Sequence, residues 1–142
     1  MHKICIDAGV LGFYLSKGRT KKVKDLMERV KNGDVEAHVI KQILIEVYFH
    51  LCKDFGATEA GIQLRNLVEN FPFVLVELDL DLIASAGKLK CQHKDTLSYN
   101  DCVAIAHCLK NNVEFHTTEK VIKQIPHNTL ERLRIVRYEW KV

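Results

Sequence analysis

The chain has no C-x-x-C pair, no long uncharged apolar run, no linker or repeat, and no strong excess of one charge. Each absence narrows the field. Without paired cysteines, Cys5, Cys52, Cys91, Cys102 and Cys108 read as reduced, mostly buried small hydrophobes rather than a structural zinc site. Apolar runs this short, and broken by charges, do not span a membrane. The start, Met1-His2-Lys3-Ile4-Cys5-Ile6-Asp7, enters a strand directly and lacks the apolar region and small-residue site of a signal peptide, so a cytoplasmic location is expected. A net charge of +3 does not by itself mark a nucleic-acid binder. Nothing divides the 142 residues, which are expected to form a single domain, 1–142, large enough for a real core.

What is present is an alternation of strand and helix signals. A short buried strand is expected at 3–7, a helix at 8–17 and a second helix capped by Thr20, with Val23, Leu26, Met27 and Val30 at helical spacing. A third helix is expected from Val39 to Phe55, and a fourth from residue 57 or 58 that closes at Asn70 and Pro72. The run Phe73–Leu78 reads as a strand covered on both faces. Asp79 caps a fifth helix, and Ser98-Tyr99-Asn100-Asp101 has the form of a capping box opening a sixth. Strands at 113–117 and 133–138 and a short helix at 119–124 complete the reading. This order implies an α/β fold, a three-layer α/β/α sandwich around a central, mostly parallel sheet.

Four carboxylates stand out in that frame. Asp7 ends the first strand, Glu46 lies in the apolar stretch Val39–Leu51, Asp101 sits in the first turn after Ser98, and Glu119 follows the strand 113–117. Open α/β sheets bind ligands at the carboxyl ends of their strands, where such groups can converge. Only Glu119 has a basic neighbour in sequence, Lys120. Gathered together, the four would repel one another unless a divalent cation neutralised them, which points to a hard-metal site. Each also has a plainer reading. Asp7 can be an N-cap, and Asp101 half of a capping box. Glu119 can be a helix-start carboxylate, and Glu46 a surface group assisted by Gln42 or His50.

Three stretches resemble the PIN domain family, most closely its toxin-type, VapC-like ribonucleases: Ile4-Cys5-Ile6-Asp7-Ala8-Gly9-Val10-Leu11, then Ile45-Glu46-Val47, then Leu97-Ser98-Tyr99-Asn100-Asp101-Cys102-Val103-Ala104-Ile105-Ala106 running on to Val113–Glu119 with its Thr117-x-Glu119 element. The resemblance implies cleavage of single-stranded RNA that depends on Mg2+ or Mn2+. It makes Asp7, Glu46 and Asp101 the core metal ligands, with Glu119 supporting a second ion. Thr117, Arg19 and Lys120 become candidates for contact with substrate. It also implies a homodimer and a small antitoxin covering the acidic cleft, with helix faces at 23–30 and 58–68 as candidate contacts. The chain departs from the family at Gly9, where a small hydroxylated residue is usual, and at Glu119, where Asp is usual. Those departures favour the rival expectation, a PIN-like RNA-binding or scaffolding module without activity. A nuclease of structured DNA or precursor ribosomal RNA is a further alternative within the fold.

Overall fold

The computed structural model describes residues 1–16, 19–118 and 132–139. The elements run β1 (Lys3–Ile6), α1 (Ala8–Leu15), α2 (Lys21–Lys31), β2 (Glu36–Ile40), α3 (Ile43–Phe55), α4 (Ala57–Asn70), β3 (Val74–Val76), α5 (Leu80–Gln92), α6 (Tyr99–Asn111), β4 (Glu114–Thr117) and β5 (Ile135–Arg137). All strand pairs are parallel, in the order β3-β2-β1-β4-β5. α1 packs on α2 and α3, α3 on α4, and α5 on α6. Right-handed crossovers place these two helical groups on opposite faces of the sheet. The expected α/β/α sandwich is therefore the observed one.

Two expectations need correction. Val39 and Ile40 do not begin the third helix: they end β2, which pairs with β1 through Ile4 and Ala37 and with β3 through Val39 and Leu75. Apolar density runs unbroken from the strand into the helix except at Lys41-Gln42, so period alone merges them. Consequently Glu46 lies not mid-helix but in the first turn of α3. The strand at 73–78 is shorter than expected and sits at the sheet edge, with Val74 41% exposed rather than covered on both faces.

The other local signals act as expected. Asp79 accepts from Leu82 N at 2.8 Å and caps α5. Thr20 is the exception: it stands at the N-cap of α2, but its side chain makes no cap bond. Asn112 ends α6 in the left-handed conformation (φ 54°) that asparagine tolerates. The α2 residues Val23, Leu26, Met27 and Val30 are all buried, so that face is core rather than a contact surface. On α4, Ala60 and Leu67 are core while Ile62 is exposed. Cys5, Cys102 and Cys108 are buried, Cys52 is half-buried and Cys91 exposed, all free thiols. Among the described residues no helix is long and apolar enough to cross a membrane. The expected short helix at 119–124 lies outside the described residues, as do Glu119 and Lys120.

Candidate active site

β1 is the pivot of the sheet. From it the chain first builds outward through β2 and β3, then crosses back to lay β4 on the other side. Such a reversal of strand order opens a crevice at the carboxyl ends. Asp7 caps α1 at that point, Thr117 ends β4 beside it, and Thr118 follows the strand. Glu46 in the first turn of α3 and Asp101 in the first turn of α6 complete the edge. All three carboxylates line one pocket of about 310 Å³, together with Gly9, Gly12, Ser16, His50, Asp54, Ser98, Asn100 and Thr118.

Two of the pocket's carboxylates, Asp7 and Asp101, are held by specific bonds. Asp7 is 5% exposed; its Oδ1 accepts from Ala8 N at 2.8 Å and its Oδ2 from Thr117 Oγ1 at 3.0 Å. Its backbone N–H donates to His116 O at 3.0 Å, which ties the cap to the end of β4. Asp101 is as buried, and Ser98 locks it in a full capping box: Ser98 N donates to Asp101 Oδ2 at 3.3 Å and Asp101 N to Ser98 Oγ at 3.1 Å. Asn100 Oδ1 accepts from Gln42 Nε2 at 3.1 Å, fastening α6 to the approach of α3. Capping does not compete with a functional role here. The cap fixes the carboxylate in the pocket.

Electrostatics at this edge are unfavourable to the bare protein. Burial, then the negative charge of Asp101 and, less, that of Glu46, push the Asp7 carboxyl up to about 7, against the pull of Thr117 and Ala8. Burial also raises Asp101, opposed by its bonds to Ser98 and by the charge of Lys90 on α5. No lysine or arginine is among the residues lining the pocket. Among the described residues, no three Asp, Glu, His or Cys side chains already stand in a metal-holding array. The donor chemistry is nevertheless that of a hard cation: carboxylate oxygens, in surroundings that disfavour their joint ionisation. The residues fit magnesium or manganese in kind.

Not every expected residue comes to the site. Thr117 is bonded to Asp7 but is fully buried and does not itself line the pocket, so it braces the carboxylate rather than facing substrate. Arg19 does not line the pocket; its guanidinium lies 5.1 Å from the Tyr14 ring centroid and donates to Tyr14 O at 3.4 Å. His50 and Asp54 line the pocket and were not expected as site residues, although their i+4 and i+8 spacing from Glu46 puts all three on one helix face. Lys90 had no sequence signal, since it reaches Asp101 from another helix. It also lies 4.9 Å from the Tyr99 ring and donates to Leu97 O at 2.6 Å.

The same fold occurs in solved toxin–antitoxin structures. VapBC2 from Rickettsia felis, bound to a DNA fragment of its promoter, aligns at a TM-score of 0.74 with 13% identity, over 96% of this chain and 98% of that one. DNA-bound VapBC from Salmonella typhimurium aligns at 0.72 with 12% identity, over 99% and 100%. VapC20 from Mycobacterium tuberculosis, a sarcin–ricin loop cleaving toxin, aligns at 0.64 with 15% identity, over 78% and 85%. Identities this low establish shared fold and no more. No curated protein matches the chain. The model of the PIN domain family, however, matches residues 4–128, nearly the whole sequence, and the chain therefore belongs to the PIN domain family.

Proposed function

We propose that the chain is a divalent-metal-dependent endoribonuclease that cleaves single-stranded RNA, the toxin of a toxin–antitoxin pair. The observation that carries the reading is the meeting of Asp7, Glu46 and Asp101 in one pocket at the pivot of the sheet, with Asp7 retaining its proton to about pH 7. Carboxylates gathered in one pocket, two of them buried, are an arrangement that a cation relieves. Asp7, Glu46 and Asp101 would hold it, with Glu119 added by the family resemblance. Magnesium or manganese would supply the positive charge that phosphodiester hydrolysis needs at its attacking and leaving oxygens.

The chain's own groups orient the reaction. Thr117 and Ala8 fix the two oxygens of Asp7, and Ser98 fixes Asp101, so neither carboxylate turns away when RNA arrives. His50, one turn beyond Glu46 on α3, places an imidazole in the same pocket wall. Arg19 and Lys120 remain candidates for the RNA backbone, with Arg19 acting outside the pocket itself. The neighbours' antitoxin complexes support a small protein partner, and VapC20 supports RNA as substrate. Ile45 and Phe49 lie exposed on α3 beside Glu46 and His50, an apolar ridge suited to a partner that covers the cleft. A homodimer and a cytoplasmic location belong to the same reading.

The test is cleavage of a labelled single-stranded RNA in manganese, magnesium or chelator, beside Asp7→Asn and Asp101→Asn. Cleavage that needs the metal and is lost in both variants supports the proposal. Cleavage that persists in both variants sinks it.

A further inference from the structure

Gly9 lies in the first turn of α1, two residues after Asp7, and lines the pocket. A Cβ built on it would stand 2.0 Å from Thr118 Oγ1 and 3.2 Å from Thr118 Cβ. The space of a side chain at position 9 is thus already filled, and the atom filling it is a hydroxyl. Thr118 lines the same pocket. Thr117, which ends β4, and Thr118, which follows it, also differ in commitment. Thr117 Oγ1 donates to Asp7, whereas no hydrogen bond joins the Thr118 hydroxyl to any described residue. Of the other hydroxyls in the pocket, Ser16 donates to Phe13 O at 2.8 Å and Ser98 serves the capping box.

We infer that Thr118 is a substrate-binding residue: its hydroxyl, seated over Gly9, donates to a phosphodiester oxygen of the RNA held in the acidic pocket. Gly9 is then a positioning residue, glycine because any larger side chain evicts that hydroxyl. A neutral donor suits this place, since a cation there would pair with Asp7 or Asp101 and a further carboxylate would repel phosphate. The inference rests on the nuclease reading, and it reverses the meaning of Gly9. The glycine is not a lost hydroxyl but the seat of one delivered from just after β4.

The experiment measures affinity for a labelled single-stranded RNA oligonucleotide in calcium and cleavage of it in manganese, with a thermal melt of each variant. Thr118→Ala is expected to weaken binding about tenfold, the size of one hydrogen bond to a charged acceptor, while Thr118→Ser retains it. Gly9→Ala forces Thr118 to turn away and matches Thr118→Ala in affinity, and the double variant is no weaker than either single one. Gly9→Ser with Thr118→Ala returns a hydroxyl from the helix side and restores binding. Thr118→Ala at wild-type affinity overturns the inference, as does additivity of the two alanine variants. If Gly9→Ala fails to fold, the Ala and Ser variants of Thr118 still decide. A wild-type chain that binds RNA and never cleaves it defeats the nuclease activity but leaves these affinities to judge the hydroxyl. One that binds no RNA defeats both.

Discussion

In the body of the sheet each buried imidazole of β2 and β4 has a partner at both ring nitrogens. His38 lies between Glu36 at 2.8 Å and His107 at 2.9 Å, and His116 lies between Glu114 at 2.7 Å and Tyr138 at 2.7 Å. The registers Cys5 with His38 and Ile6 with His116 put these two networks on opposite faces. At the carboxyl edge of the same sheet, Asp7 and Asp101 are just as buried, but there the charge of Asp101 adds to the burial that raises Asp7. The contrast separates two uses of buried polarity. In the body, Glu114 is pushed up by burial yet held below the usual carboxylate range by bonds from His116 and His2. At the edge, the bonds from Thr117, Ala8 and Ser98 and the charge of Lys90 pull the same way but do not win: both carboxyls stay raised, and the protein carries an instability that a ligand can relieve.

The largest expected effect breaks the edge. Asp7→Asn and Asp101→Asn each lower RNA cleavage by about a thousandfold or more, because the metal charge then lacks its holders. A labelled-RNA time course in manganese reads this directly. If the edge were structural like the body, the same variants would instead unfold the chain.

The next effect has the opposite sign. Asp7 titrates near 3.9 in an unfolded chain and at about 7 when folded, so its protonated form is the one folding favours. Stability from this group is complete below about pH 4 and is lost as pH rises to about 7. Asp7→Asn in chelator is therefore expected to be more stable than wild type at pH 8 by up to about 4 kcal/mol, and equal to it near pH 4, by urea titration. Manganese narrows the difference at pH 8 by stabilising only the wild type.

His107 sharpens the comparison from the body. Burial, then the charge of His38, lowers its pKa to about 4. The unfolded chain takes up this proton first, so stability from His107 is present above about pH 6.5 and lost as pH falls toward about 4. Body and edge thus bend the pH profile in opposite directions over nearly the same window. Asp7→Asn should expose the acid lability alone. His107→Phe should remove it while costing about 1–3 kcal/mol at pH 7, since His38 Nδ1 loses its partner. Cleavage per folded molecule should not change.

Much of the edge was legible because its carboxylates obey short-range rules. Asp7 after an apolar run and Ser98-x-x-Asp101 before one are cap signals, and the caps place them in the pocket. Glu46 was singled out from the wrong local structure: the expected helix 39–55 hid β2, and only the strand ending at Ile40 brings Glu46 to the edge. The body networks were not legible. His38 meets His107 across 69 residues, and no spacing rule relates a strand residue to a helix laid over it by a crossover. Thr118 over Gly9 was invisible for the same reason. The sequence shows an absent side chain, and only the packing shows what occupies its place.

The smallest effect tests whether the body is as settled as its geometry implies. Tyr138 is 4% exposed, and its hydroxyl meets His116 Nδ1 at 2.7 Å while Glu114 takes Nε2. With Nε2–H donated to the carboxylate, Nδ1 accepts from the tyrosine, so Tyr138→Phe leaves one buried acceptor without a donor. The expected cost is about 1 kcal/mol at pH 7 by urea titration. Burial raises the tyrosine to about 12, above its unfolded value near 10, so wild-type stability from this group is lost as pH rises through that interval. Tyr138→Phe should be flat there, and the two stability curves should approach each other above pH 10. A Tyr138→Phe protein that gained stability at pH 7 would mean that the body, too, holds unrelieved polarity. The division between a settled sheet and a strained edge would then fail.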